Sequence, residues 1–257
     1  MSIVFGASGA VAAGTTTLAV PHPAGLTAGD FLVLCVANKY PGAAPSTPAG
    51  WRLAGTASGG AGAAGIDTGQ AVSSILTKVA VGNETGNLSV TTGGNVSLGR
   101  MFRYRSTLGK SIGTIVDRAQ AGRNANGGTP GARYGTSSFA RRERFDSYWT
   151  GSTGVGILSV AINSDLYTYG PHTASFGGIA NRTGNELQDS GSAGGQDGAL
   201  LVVEYTIPPS ATGLSAAWGS SSGTSANSPA GAMVMLVMYE LDYTPYDPMG
   251  MFGIFGY

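Results

Sequence analysis

A chain of 257 residues is long enough for one large β-domain or two small ones, and its 42% apolar residues are enough to build a core. The 43 glycines and 12 prolines exclude an architecture of long helices, because each interior glycine costs about 1 kcal/mol relative to alanine. Charged residues make up only 11%, well under the usual share of about a quarter, and a surface this poor in charge suits packing against neighbours in an assembly.

In chain order, the apolar stretch from Met1 to Gly14 lacks a basic leader and is interrupted by Gly6 and Gly9, so it does not read as a signal peptide. An edge strand is expected from Ile3 to Phe5 and another from Thr15 to Val20, ended by Pro21 and Pro23. A turn at Ala28, Gly29 and Asp30 opens an apolar run from Phe31 to Ala37. Short, without helical spacing and flanked by turn formers, that run reads as a strand buried at a sandwich core. Cys35, the single cysteine, lies within it as a small buried hydrophobe, and no intrachain disulfide can form. A Pro/Gly/Ala loop then leads to Gly50 and Trp51, whose indole anchors the start of the next strand.

Ser58 to Gly69 reads as a loop. Its Gly60, Gly62 and Gly65 have the G-x-G-x-x-G spacing, but the β-branched run Val72 to Val81 follows where a dinucleotide site needs a helix, so no cofactor is expected. The second half of the chain echoes the first. Gly156 to Asn163 resembles Gly29 to Asn38 in apolar pattern and terminal Asn. Ala199 to Ile207, Gly213 to Ala217 and Ala232 to Leu241 then repeat the order of Val72 to Val81, Gly86 to Val90 and Gly99 to Arg105. No stretch reaches the roughly 18 apolar residues that cross a bilayer, so no membrane partner is expected, and synthesis is expected in the cytoplasm.

Net neutrality hides a polarity. Ten of the fourteen basic residues fall between Arg100 and Arg144, with Asp117 and Glu143 the only acids there, whereas Asp165 to Asp247 holds eight acids against Arg182 alone. A contact between the basic segment of one copy and the acidic surface of another is the favoured reading, with Arg100, Arg103, Arg105, Arg141, Arg142 and Arg144 as interface candidates. Pairing within one sandwich ranks close behind. Nucleic acid, for which Arg141, Arg142 and Arg144 beside Phe145, Tyr148 and Trp149 would be the basic and aromatic mixture, ranks last.

Catalytic residues are not expected. His22 and His172 lack neighbours at metal-ligand spacing, so no metal site is assigned. Ser8 in GASGA lacks the last glycine of a nucleophile elbow. Glu204 with Glu240, on strands expected to be adjacent, is the one carboxylate pair to nominate for glycoside chemistry, and Asp189 with Asp197 the one pair for calcium; both rank below an ordinary surface role. The closing DYTPYDPMGMFGIFGY places Met249, Met251, Phe252, Ile254, Phe255 and Tyr257 after Pro245 and Pro248. Such a patch must be buried, either folded back across its own sandwich or docked on a partner; the second is favoured, and residues 243–257 read as a docking arm.

The succession of Gly29-Asp30, apolar strand, Pro-rich loop and Gly50-Trp51 resembles a group of tailed-phage virion proteins of the tail, fibre or decoration type, which have a jelly-roll-like β-sandwich. Ser74 to Val81 and Gly86 to Thr91 look like that group's following strands, and Met101 to Asp117 like its strand with an Ile-Asp turn. The likeness covers the first half, and the remainder follows only in strand rhythm. The expected fold is all-β, a jelly-roll-like sandwich of two quasi-equivalent halves over 1–242, the halves being 1–110 and 150–242 joined by a basic segment 111–149; two tandem sandwiches would give the same echo, and one domain is preferred. The resemblance implies a non-catalytic virion component that forms a trimer or hexamer and docks on other virion proteins. The alternative is a lectin-like module that reads a host glycan on Tyr40, Tyr148, Trp149, Tyr167, Tyr169 and Trp218.

Overall fold

The computed structural model describes residues 2–39, 44–59, 69–93, 96–121, 136–139, 154–162, 168–176, 179–183, 185–192, 198–207, 214–221 and 231–241. All the regular structure among them is β. The first half holds β1 (Ile3–Ser8), β2 (Ala12–Gly14), β3 (Thr17–Pro21), β4 (Phe31–Lys39), β5 (Arg52–Gly59), β6 (Ala71–Val79), β7 (Asn87–Thr91) and β8 (Val96–Ser106). The second holds β9 (Ile112–Ala121), β10 (Thr136–Phe139), β11 (Gly154–Ile162), β12 (Thr168–Phe176), β13 (Ile179–Thr183), β14 (Asn185–Ser192), β15 (Gly198–Ile207), β16 (Leu214–Ser221) and β17 (Gly231–Glu240).

Each half supplies its own inner sheet. The first sheet runs β1-β8-β4-β6-β5, with β2 also on β8, and the second runs β14-β15-β11-β17-β9. Their pairings are antiparallel throughout. A two-stranded ribbon, β3-β7, and a four-stranded outer sheet, β10-β16-β12-β13, complete the fold. The two inner sheets stack as a sandwich: β15 passes over β4 and β8, β11 over β4 and β6, and β17 over β5 and β6.

Side-chain alternation explains the layers. On β4, Phe31, Val33, Cys35 and Ala37 face the second sheet and pack with Val155, Ile157, Ala161, Leu200, Val202, Val234, Leu236 and Met238. Leu32, Leu34 and Val36 face the other way and pack with Leu18, Val20 and Val90 of the ribbon. All nine β4 residues are therefore buried, which is why the segment reads as an unbroken apolar run. The ribbon lies close because residue 99 is glycine: a Cβ there would meet Leu18 Cδ1 at 3.0 Å and Val20 Cγ2 at 3.3 Å. The outward side chains of the second sheet, among them Leu158, Val160, Leu201, Val203, Met233 and Met235, are also buried, with β12 lying beside β14 and β15. Trp51 is buried in the ribbon-side core and Cys35 in the core between the sheets, as expected.

Several segments differ from the sequence reading. Residues 111–149 are more than a joining segment, since β9 and β10 lie within them. The expected Ile-Asp turn near Asp117 lies inside β9, where Ile115 and Asp117 pair with Val237 and Met235; the turn comes earlier, at 107–111. The expected strand Thr15 to Val20 is β3, Thr17–Pro21, and β2, Ala12–Gly14, is a further strand before it.

Candidate functional site

The arginines of β8 and the turn before β4 form the most charged site among the described residues. Thr27 and Asp30 bracket that turn: the Thr27 N–H donates to Asp30 Oδ2 at 2.9 Å and the Thr27 hydroxyl at 3.2 Å. A Thr-x-x-Asp spacing lets the carboxylate close its own turn. Register then brings Arg105 alongside, because Phe31 pairs with Tyr104. Arg105 grips Asp30 with Nε to Oδ1 at 2.6 Å and Nη2 to Oδ2 at 2.9 Å, a two-pronged contact that suits the planar guanidinium. Burial pushes the Asp30 carboxyl up, but Arg105 and the Thr27 donors outweigh it, and its pKa ends below the ordinary value.

Arg103 lies across Gly6, where a Cβ would come within 2.5 Å of its Nε, donates to the Gly25 carbonyl and stands 3.8 Å from Asp30. Arg100 bridges the gap between β1 and β2. Its Nε donates to the Gly9 carbonyl at 2.9 Å and its Nη2 to Ser8 Oγ at 2.7 Å. Arg100, Arg103 and Arg105 are thus all engaged within the chain, the arrangement that pairing within one sandwich anticipates. Arg105 also keeps 47% of its side chain exposed. Arg141, Arg142, Arg144, Met249, Met251, Phe252, Phe255 and Tyr257 lie outside the described residues.

A second set of polar contacts joins the two inner sheets. The Tyr104 hydroxyl donates to Glu204 Oε2 at 2.8 Å, and Ser106 Oγ donates to Glu240 Oε1. Ser73 Oγ donates to the Ser159 carbonyl at 2.9 Å and lies 3.1 Å from Ser159 Oγ, and the Ser159 side chain stands beside the Cys35 thiol. Burial pushes Glu204 above the ordinary carboxylate value, only partly offset by the Tyr104 hydroxyl, and pushes the Cys35 thiol up to about 12. Glu204 and Glu240 do not form the pair nominated from sequence. β11 lies between β15 and β17, and each carboxylate is bound to a hydroxyl of the facing sheet instead.

The other sequence candidates are dispersed. His22 Nδ1 lies 3.1 Å from the Gly86 carbonyl, and Ser8 serves Arg100. Asp189 lies in β14, while Asp197 and Gly60, Gly62 and Gly65 fall outside the described residues. Of the six aromatics considered for a glycan, Tyr169 and Trp218 come to neighbouring strands, with Tyr169 opposite Ser220 and His172 opposite Trp218. Tyr40, Tyr148, Trp149 and Tyr167 lie outside the described residues. Among the described residues, no three His, Cys, Asp or Glu side chains come together as a metal site.

Sequence reasoning found the β8 arginines by charge count and missed Asp30 as their partner, although the Thr27-x-x-Asp30 spacing marked it. Ser106 was missed outright, and a lone serine carries no signal. No protein-family model, curated protein or solved structure matches this chain.

Proposed function

We propose that this chain is a structural component of a phage-like virion, a capsid decoration, tail or fibre-base protein, that works by self-assembly and docking and not by catalysis. The observation that carries the reading is where its acids are spent. Asp30, Glu84, Glu204 and Glu240, the four carboxylates whose side chains are described, each tie one part of the scaffold to another. Glu84 takes N–H donors from Val81 and Gly82 at 2.9 Å each and the Lys78 ammonium at 2.9 Å. Charged groups committed to holding layers and loops together suit a protein whose work is structural.

The jelly-roll-like fold belongs to the same proposal. A jelly roll is a long antiparallel hairpin rolled up, so its eight strands pair first with last, second with seventh, third with sixth and fourth with fifth. In the second half β9 pairs with β17, β10 with β16, β11 with β15 and β12 with β13, which supports that reading. The first half repeats the outer three of these pairings, β1 with β8, β3 with β7 and β4 with β6.

Light scattering on the full chain and on a truncation ending at Asp242 tests the assembly. A defined multimer for the full chain and a monomer for the truncation is the expected result. Stable monomers for both would remove self-assembly from the proposal.

A further inference from the structure

The two halves match beyond strand order. In the first half Leu53 pairs with Leu76 and, after a bulge, Gly55 with Ile75; in the second Glu186 pairs with Val203 and, after a bulge, Gln188 with Val202. Superposing the two bulges makes Ile75 equivalent to Val202. Register then carries the match through both sheets: Phe31 to Val155, Tyr104 to Met238, Ser106 to Glu240 and Ile3 to Ile112. In this register the inward positions of β4, β6 and β8 fall on inward positions of β11, β15 and β17, so Val33 matches Ile157 and Phe102 matches Leu236.

Two contacts across the sandwich join residues that are each other's equivalents. Ser106 matches Glu240 and the two are hydrogen-bonded; Cys35 matches Ser159, and the Ser159 side chain stands beside the Cys35 thiol. A residue touches its own equivalent where a rotation axis passes, and for two copies of one sheet stacked face to face that axis is a two-fold. We infer that residues 3–106 and 112–240 are two copies of one unit, related by a two-fold axis running between the sheets through both contacts. The inner face of each sheet is then a self-complementary docking surface, and the partner it fits is a second copy of the unit, here supplied by the same chain.

Exchange of residues between the halves tests this on the full chain. Ser106→Glu places two carboxylates face to face and Glu240→Ser removes the carboxylate acceptor, and each should raise the unfolding equilibrium constant about ten- to a hundredfold. Ser106→Glu combined with Glu240→Ser should return most of that loss, because the axis makes the exchanged pair equivalent to the original. Cys35→Ser with Ser159→Cys is the milder companion, and it too should stand closer to the parent than its single variants predict. Tyr104 and Glu204 are bonded but not equivalent, so Tyr104→Glu with Glu204→Tyr should recover nothing. Failure of both axial exchanges would overturn the inference, and so would recovery in all three, which would mean that contact alone is enough.

Discussion

The two halves share a pattern on their inner faces and part company on their outer ones. At the positions where the first half carries Asp30, Arg103 and Arg105, the second carries Gly154, Val237 and Tyr239. Gly99, which lets the ribbon lie close, corresponds to Met233, which is fully buried. The covers differ to match: two strands over the first sheet, four in the outer sheet of the second half. The difference teaches that the salt bridge is not what specifies the sheet. Five strands in this order form with it and without it, so the inner apolar alternation sets the fold and the outer chemistry is free to diverge.

The comparison breaks most readily at its centre. Phe102 and Leu236 occupy matching inward positions, and both are almost wholly buried. Phe102→Ala should cost about 3–5 kcal/mol and Leu236→Ala about 2–5 kcal/mol, each lowering the urea midpoint of one shared transition. Two separate transitions, or a Leu236→Ala variant as stable as the parent, would show that the sheets do not share a core.

Acid separates the halves in sign. Glu84 is pushed up by burial but drawn down further by the Val81 N–H, the Lys78 ammonium and the Gly82 N–H, reaching about 2. Its contribution is complete above the ordinary value of 4.5 and is lost as pH falls toward about 2. Asp30 behaves likewise. Glu204 has a raised pKa, so the folded state binds its proton more tightly and gains stability as pH falls through that raised value down to 4.5. Relative to the parent, Glu204→Gln should therefore do best at pH 7 and lose ground by pH 4.5, while the deficit of Glu84→Gln should persist to pH 4.5 and shrink toward pH 2. Unfolding free energies at those pH values decide it, and parallel curves for parent and Glu204→Gln would remove the buried-carboxylate account.

The smallest effect is expected at the axis. Cys35→Ser installs the residue that the second half already has at the matching site, beside a Ser159 hydroxyl able to bond it. The cost should be about 1 kcal/mol or less by thermal melting. A loss of several kcal/mol would mean that the two positions are not alike.

Much of this fold was legible because its central strands are apolar on both faces. β4, β11, β15 and β17 each appear as runs of Val, Leu, Ile and Met bounded by turn formers. β14, NELQDSGS, was illegible for the opposite reason: an edge strand made of turn residues is held by its neighbour's backbone, and composition does not record that. The repeat was visible but slipped. Matching Asn38 with Asn163 is one residue away from the hydrogen-bond register, which sets Asn38 against Ile162, and a one-residue slip exchanges inner and outer faces. At the site, the arginines stood out by their number. The Gly9 and Gly25 carbonyls that two of them reach are backbone groups with no signature, and Asp30 lies 75 residues from Arg105.

Ser106 ends the first half and also orders the passage to the second, since its Oγ accepts the Leu108 and Lys110 N–H groups at 3.1 Å each while bonding Glu240. That arrangement is completed only when Glu240 has been made. At about 5–20 residues per second, a ribosome needs roughly 6–26 s to add residues 112–240. Until the second sheet is made and has emerged, Phe31, Val33, Ile75 and Phe102 of the first lack the face that covers them. Translation speed through the second half therefore sets how long a nascent chain can be captured by the wrong copy before its own arrives.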